Sequence, residues 1–99
     1  MEIKELNDDA LGRVSDFFKA FSDPTRLRIL FTLSKEKLLD VGGIAEKLNM
    51  TDSAISHQLK LLKQQRLVAS ERNGKYVLYR LDDSHIETVL SMAAEHLAE

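Results

Sequence analysis

Apolar residues recur every three or four positions along most of the chain, which is the spacing of one buried face on an α-helix. The repeat predicts four helices in the first two thirds of the sequence: about Asp8–Ala20, Pro24 to about Ser34, a short helix after Gly42-Gly43 that ends near Asn49, and one that is capped by Thr51 or Asp52 and reaches about Gln64. Asp23 is placed to accept hydrogen bonds from the first N–H groups of the second helix, and Pro24 fits its first turn.

The spacing changes after the fourth helix, where two short runs of β-prone residues follow each other. Val68–Arg72 and Tyr76–Leu81 are joined by Asn73-Gly74, a dipeptide typical of the two-residue turn of a β-hairpin. The segment therefore predicts two antiparallel strands.

A last helix is predicted from about residue 84 to the end of the chain. Asp82, Asp83 or Ser84 can cap it, and Ser84 with Glu87 has the spacing of a capping box. The complete order is helix, helix, helix-turn-helix, hairpin, helix. This order is typical of a winged helix-turn-helix, a mainly α fold of the α+β class in which the hairpin is the wing.

Composition limits the class of protein further. The 99 residues are 43% hydrophobic and 30% charged, as in globular chains rather than disordered ones. This length predicts one domain over residues 1–99 with a small core, so packing between two copies would supply additional burial. The chain has no cysteine, which excludes disulfides and thiolate metal or redox sites. Apolar runs are shorter than a membrane span and Glu2 and Lys4 interrupt any secretory signal, so we expect a cytoplasmic protein with no membrane partner.

The net charge of −2 is unevenly distributed along the chain. Residues 56–80 contain six lysines or arginines and one acid, a net charge of +5. Residues 81–99 contain five acids and no lysine or arginine, a net charge of −5. The first segment has the charge of a polyanion-binding surface and the second that of a cation-binding one.

The third and fourth predicted helices form a helix-turn-helix, the unit that places its second helix in the major groove of DNA. The fourth helix has an apolar face of Ile55, Leu59 and Leu62 and a polar face opposite to it. Short polar side chains let a helix approach base edges, and long basic ones reach phosphates. The expected DNA-binding residues are Ser53, Ser56, His57 and Gln58 at bases or nearby phosphates, and Lys60, Lys63, Arg72 and Lys75 at phosphates. For any one lysine, a solvated surface position is the alternative.

The last helix has possible metal ligands at both ends, with Asp83 and His85 at its start and His96 and Glu99 at its end. The two histidines are eleven residues apart, so they share a face but lie roughly 16 Å apart along the axis. Zinc holds its ligands at about 2.0–2.2 Å, so one helix cannot close a site. Two antiparallel copies of the helix can, because each start then faces the partner's end.

This geometry predicts a homodimer with two equivalent sites and a two-fold axis near Leu90 and Ser91. The interface would consist of the apolar stripes of the first and last helices: Leu11, Val14, Phe18, Ile86, Val89, Leu90, Ala93 and Leu97. Two imidazoles and two carboxylates suit tetrahedral Zn(II), and Co(II) can replace it in vitro. Helix capping by Asp83 and a favourable helix-dipole position for His96 are the structural alternatives.

Three segments resemble the ArsR/SmtB family of winged-helix repressors. Phe18–Leu30 (FKAFSDPTRLRIL) is similar to the second helix of that family, Ser53–Lys63 (SAISHQLKLLK) to its recognition helix, and Leu67–Leu81 to its wing. The resemblance implies a homodimer that sits on double-stranded operator DNA and leaves it when a metal or another inducer binds.

The zinc sensors of the family have a similar last helix, so the resemblance assigns ligand roles to Asp83, His85, His96 and Glu99. Because Glu99 is the last residue, the terminal carboxylate or a water molecule is the alternative to its side chain. It also implies an allosteric hydrogen bond from His96 to a backbone carbonyl near Arg66, and regulated genes for metal efflux or resistance. The arsenic, lead and cadmium sensors carry cysteines in the segment that matches residues 38–45. That segment has none here, so their thiolate site is absent.

Two other classes of function remain open. The same fold could be a DNA-binding repressor with a non-metal inducer or none, or a winged-helix module that binds proteins instead of DNA. An enzyme is not expected, because a hydrolytic zinc site needs an open coordination position and a general base, and no second catalytic group is present.

Overall fold

A computed structural model describes residues 5–99 of the chain; the expectation for Glu2 and Lys4 lies outside the described residues. Five helices and one antiparallel hairpin occupy this part: α1 (Asp8–Ala20), α2 (Pro24–Glu36), α3 (Val41–Leu48), α4 (Asp52–Gln64), β1 (Val68–Asn73), β2 (Tyr76–Leu81) and α5 (Ser84–Ala98). The predicted order of elements and the mainly α fold with a β-hairpin wing are confirmed.

Each of these helices begins at a side chain that accepts a hydrogen bond from the first turn. The N-caps are Asn7, Asp23, Asp40, Thr51 and Asp83. Such caps satisfy N–H groups that have no partner inside the helix. The cap of α4 is Thr51 rather than Asp52, and the cap of α5 is Asp83 rather than Asp82 or Ser84.

The predicted capping box of Ser84 and Glu87 is therefore wrong. Because Asp83 caps the helix, Glu87 lies one position too far along to complete a box. Its carboxylate accepts instead from the Ser34 hydroxyl at 3.3 Å and the Lys37 ammonium at 3.2 Å. Glu87 thus ties α5 to the end of α2.

The two glycines of α3 lie inside the helix and not before it, which corrects the predicted start. Asp40 begins the helix, and its Oδ1 accepts from the N–H of Gly43 at 2.8 Å. The side-chain cap is sufficient to start the helix one residue before Gly42, so the pair of glycines does not mark the turn.

The hairpin turn is also shifted by one residue from the prediction. Asn73 pairs with Tyr76, so the two turn residues are Gly74 and Lys75. Gly74 has a φ of +64°, which glycine adopts readily and which the first position of a tight hairpin turn requires. Leu39 pairs with Tyr79 through two backbone hydrogen bonds of 3.1 and 2.7 Å and so attaches the α2–α3 connection to the wing.

The core lies where α2, α3, α4, the start of the hairpin and α5 meet. Its buried residues are Ala20, Ile29, Leu30, Leu33, Ile44, Ala45, Leu48, Ile55, Leu59, Leu62, Leu67, Val68, Ile86 and Leu90. The predicted apolar face of α4 is fully buried among them, whereas α1 contributes only Ala20. No helix in residues 5–99 is long and apolar enough to span a membrane.

The glycine pair of α3 gives a matched test of local packing. A Cβ at Gly42 would have its nearest neighbour at 3.8 Å, whereas a Cβ at Gly43 would lie 3.1 Å from both Asp40 Oδ1 and Leu39 Cδ2. Alanine in a helix is favoured over glycine by up to about 1 kcal/mol. We expect Gly42→Ala to raise the free energy of unfolding by up to about that amount, and Gly43→Ala to gain nothing or to lower it. Urea unfolding at one fixed protein concentration measures both, and equal gains would contradict the described packing.

Candidate nucleic-acid interface and metal-ligand residues

A tight turn sets the angle between α3 and α4. Asn49 ends α3 in the left-handed conformation with φ +55°, which asparagine tolerates better than most residues. The N–H of Met50 donates to the carbonyl of Ala45 at 3.0 Å, and Thr51 then caps α4. The turn thus places α4 across α3 with its apolar side inward.

The opposite side of α4 is open to solvent along its length. The exposed residues on it are Ser53, Ser56, His57, Lys60 and Lys63. Lys63 Nζ donates to the hydroxyl of Ser70 on β1 at 2.7 Å, which connects the end of this face to the wing. Gln58 differs from the other predicted residues, because it is half-buried and its Oε1 accepts from Arg26 Nε at 3.1 Å.

The wing carries its free positive charge at the tip. Arg72 and Lys75 are exposed there, and Lys75 Nζ lies 5.4 Å from the ring centroid of Tyr76. Arg80 lies further down, 3.9 Å from the carboxylate of Glu71. The guanidinium of Arg80 also donates to the carbonyls of residues 81 and 82 at 3.1 and 2.9 Å. The one acid of the basic segment is therefore paired away from the tip.

Asp83 has two structural roles at the start of α5. Its Oδ1 accepts from the N–H groups of His85 and Ile86 at 2.9 and 3.3 Å, as an N-cap does. Its Oδ2 lies 3.3 Å from Nδ1 of His85. The hydrogen bond from the His85 side chain, and after it those from the two backbone N–H groups, lower the pKa of Asp83. These contacts favour the carboxylate, which is the form that binds metals.

The same pair has a separation suited to a metal ion. Two ligand atoms at 2.0–2.2 Å from a tetrahedral ion lie roughly 3.3–3.6 Å apart. The observed distance is 3.3 Å, and a metal ion would replace the proton of His85 Nδ1 that now joins the pair. Both side chains are exposed, and so are His96 and Glu99 at the far end of the helix. In the described part of the chain, no group of three or more histidines and acids could hold a metal. One protomer thus presents two pairs of possible metal ligands at opposite ends of α5.

The segment before α5 is hydrogen-bonded to the segment that follows α4. The N–H of Asp82 donates to the carbonyl of Leu67 at 3.0 Å, and the N–H of Leu67 donates to the carbonyl of Leu62 at 2.9 Å. Arg66, between them, has a φ of +61°. An open cleft of about 610 Å³ has walls from three elements: Arg13, Asp16 and Phe17 of α1, Gln64, Gln65 and Arg66 after α4, and Asp82, Asp83, His85 and Ile86 at α5.

This cleft extends the sequence prediction. The resemblance connected Arg66 with His96; within one protomer, Asp83 and His85 line the same cleft as Arg66. The sequence feature that could have predicted this cleft is the short connection between β2 and α5, which keeps the start of α5 close to the base of the hairpin.

A second, apolar groove of about 390 Å³ separates α5 from α1 and α2. Its lining residues are Phe18, Phe21, Leu27, Phe31, Val89, Leu90, Ala93, Ala94 and Leu97. Phe18 is 58% exposed and Leu97 82% exposed. Ile86 and Leu90 are 3% and 2% exposed, because they pack in the core of the protomer itself. Their place at a dimer interface stays a prediction: a partner would add little to their burial, although Leu90 also lines the groove.

Comparison with known proteins agrees with this architecture. Residues 23–70 match the family described as bacterial regulatory protein, arsR family. The chain is 38% identical over 91 residues to the transcriptional repressor SmtB homolog of Synechocystis, covering 92% of this chain and 68% of the relative. It is 37% identical to the cadmium resistance transcriptional regulatory protein CadC homolog of Staphylococcus aureus, covering 87% and 71%.

A solved structure has the same fold over nearly the whole chain. It is the homodimeric winged helix-turn-helix DNA-binding domain of a possible ArsR-family regulator from Mycobacterium bovis, with a TM-score of 0.86 and 25% identity over 98% of this chain and 92% of that one. The relatives are transcriptional regulators and not enzymes. With its helix-turn-helix, its wing and these relatives, the chain belongs to the ArsR/SmtB family of winged-helix transcriptional repressors.

Proposed function

We propose that the protein is a homodimeric, Zn(II)-responsive repressor that binds operator DNA and is released from it when zinc binds between the two α5 helices. The observation that carries this proposal is the position of Asp83 and His85, which lie in the cleft at the C-terminal end of α4 and follow a residue hydrogen-bonded to Leu67. The regulated genes would serve metal efflux or resistance, in line with the name of the cadmium-resistance relative.

DNA would be bound by the exposed face of α4 and the tip of the wing. Ser53, Ser56 and His57 are short enough to let the helix lie deep in the major groove. Lys60 and Lys63 on α4, with Arg72 and Lys75 on the wing, would neutralise phosphates. The pairing of Glu71 with Arg80 supports this assignment, because it leaves the tip positive.

Two kinds of variant distinguish contacts with bases from contacts with phosphates. Replacing Ser56 and His57 together with alanine should cost about 1–3 kcal/mol for each lost base contact, and only on the preferred sequence. Lys60→Ala or Lys75→Ala should weaken binding to all sequences alike and reduce its salt dependence. Fluorescence anisotropy with a preferred duplex and a scrambled one measures both effects. Unchanged affinity of the double variant for the preferred duplex would remove the role of α4 and favour a protein-binding module.

A second copy of the chain would cover the apolar groove along α5. Leu11, Val14 and Phe18 of α1 are exposed, as is Leu97 of α5, and Val89 and Ala93 line the groove. Packing of two such surfaces buries the apolar area that a chain of this size leaves open. The similar solved structure is described as homodimeric, which supports association of two copies.

Phe18→Glu tests the interface at an exposed position, where the fold of the protomer should be preserved. A buried charge on the interface is costly, so we expect monomers that bind DNA weakly. Leu38→Glu is the control, because Leu38 is 39% exposed and lies outside the groove. Sedimentation gives the mass of each variant, and a dimeric Phe18→Glu protein would place the interface elsewhere.

Each metal site would combine Asp83 and His85 of one subunit with His96 and Glu99 of the other. The 3.3 Å separation of the first pair fits two ligands of a tetrahedral ion. Zn(II), or Co(II) in vitro, would fix the two α5 helices to each other. Because residue 82 is hydrogen-bonded to Leu67, a change in the position of α5 would be transmitted to the C-terminal end of α4. His96 would add an allosteric hydrogen bond to a backbone carbonyl near Arg66.

The ratio of operator affinities without and with saturating zinc measures the coupling, and we expect roughly 5–150-fold for the wild type. Asp83→Asn should weaken zinc binding while keeping the N-cap, since asparagine caps as well as aspartate. His96→Asn should bring the affinity ratio close to one even at zinc concentrations that fill the site. Glu95→Gln, a neutralised acid on the same helix outside the ligand set, should behave like the wild type.

Two outcomes would revise this assignment. A wild-type ratio near one would exclude zinc as the inducer and leave a repressor with a non-metal inducer or none. A His96→Asn protein that binds zinc and retains the full ratio would exclude the allosteric role of His96 but leave the metal site in place.

A further inference from the structure

One side chain beside the proposed DNA-binding face is held by a residue of another helix. Gln58 follows His57 on α4, and its Oε1 accepts a hydrogen bond from Arg26 Nε at 3.1 Å. Both side chains are half-buried. Arg26 is itself fixed in the first turn of α2, where its backbone N–H donates to Asp23 Oδ2 at 2.9 Å. The side chain of Gln58 is therefore hydrogen-bonded to a residue whose own backbone is fixed by a helix cap.

The chemistry of the two groups determines which way the amide is turned. A guanidinium has only donors, whereas a glutamine amide has an acceptor oxygen and a donor nitrogen. If the amide of Gln58 were reversed, its NH₂ group would face the donor of Arg26 and the hydrogen bond would be lost. Arg26 thus selects one of the two orientations of Gln58 and leaves the NH₂ group available to another acceptor.

A glutamine without such a partner has no preferred orientation of its amide. By turning its amide it can donate to the N7 and O6 acceptors of guanine or accept from the amino group of cytosine. A glutamine held in this orientation presents its free NH₂ group as a donor, and its oxygen, which already accepts from a cation, is a poorer acceptor for a base. Holding the amide therefore converts an adaptable contact into a selective one.

We propose that Arg26 is a positioning residue for DNA specificity: it holds Gln58 as a hydrogen-bond donor, so that the base contacted by Gln58 is guanine in preference to cytosine. The inference rests on the proposed function, in which α4 lies in the major groove. Arg26 itself contacts Gln58 and not the base. Its effect would be confined to one base pair in each half-site.

Inversion of a G·C pair to C·G tests this directly, because it exchanges acceptor for donor without changing the composition of the duplex. The probe is a duplex selected by the wild-type protein from a DNA pool with a randomised centre, followed by single-pair changes at every position. Where Gln58 makes its contact, inversion should weaken wild-type binding roughly tenfold. Arg26→Ala and Gln58→Ala should both bring this ratio near one at that pair alone, and the double variant should lower it no further.

Arg28→Ala is the matched control for the lost charge. Arg28 lies on the same helix and donates to the carbonyl of Leu48 at 3.2 Å instead of to α4. It should lower affinity for all sequences without changing the G·C preference. Equal loss of the preference in Arg28→Ala would assign the effect to charge or to helix packing and overturn the inference.

Gln58→Glu gives an answer that does not depend on the stability of the Arg26 variant. Glutamate keeps a partner for Arg26 but can only accept, so the preference at the same pair should change from guanine to cytosine. A preference that survives both Arg26→Ala and Gln58→Glu would refute the inference while the proposed function stands. A wild-type protein that selects no sequence from the pool would instead refute the proposed function, and with it this inference.

Discussion

Burial of the apolar face of α4 is the constraint on which the proposed DNA-binding surface depends. Ile55, Leu59 and Leu62 are all 1% exposed or less, and together they remove an amount of apolar area from water that is worth several kcal/mol. Because these residues recur at helical spacing, fixing them inward also fixes which residues face outward. The exposed serines, histidine and lysines therefore owe their common direction to the core.

The charge pattern follows the same architecture. The basic segment supplies the outer face of α4 and the wing, and the acidic segment supplies α5, which begins at the base of that wing. Two backbone hydrogen bonds, from residue 82 to Leu67 and from Leu67 to Leu62, connect the two segments through the protein interior. The proposed cation-binding element and the proposed DNA-binding surface thus share a hydrogen-bonded junction, through which one ligand would influence the other.

One face of α5 packs in the core of the protomer, and a neighbouring face lines an apolar groove. Ile86 and Leu90 complete the core, whereas Val89, Ala93 and Leu97 line the apolar groove. The same helix carries ligand-type residues at both ends. A second copy that covers the groove with its own α5 would bring its ligand-type residues close to these ends, which is why assembly and metal binding are parts of one proposal.

The sequence by itself determined the elements, because helical and strand periodicity, capping side chains and turn residues act over a few neighbouring positions. It therefore predicted all seven elements, the buried face of α4 and the cap at Asp23. Features that depend on contacts distant in sequence were decided by the tertiary structure. Periodicity placed Ile86, Leu90 and Leu97 in one stripe, but only packing divides that stripe between the core and an open groove. Residues 26 and 58 are 32 positions apart, and no local pattern relates them; they meet because α2 and α4 pack against the same core.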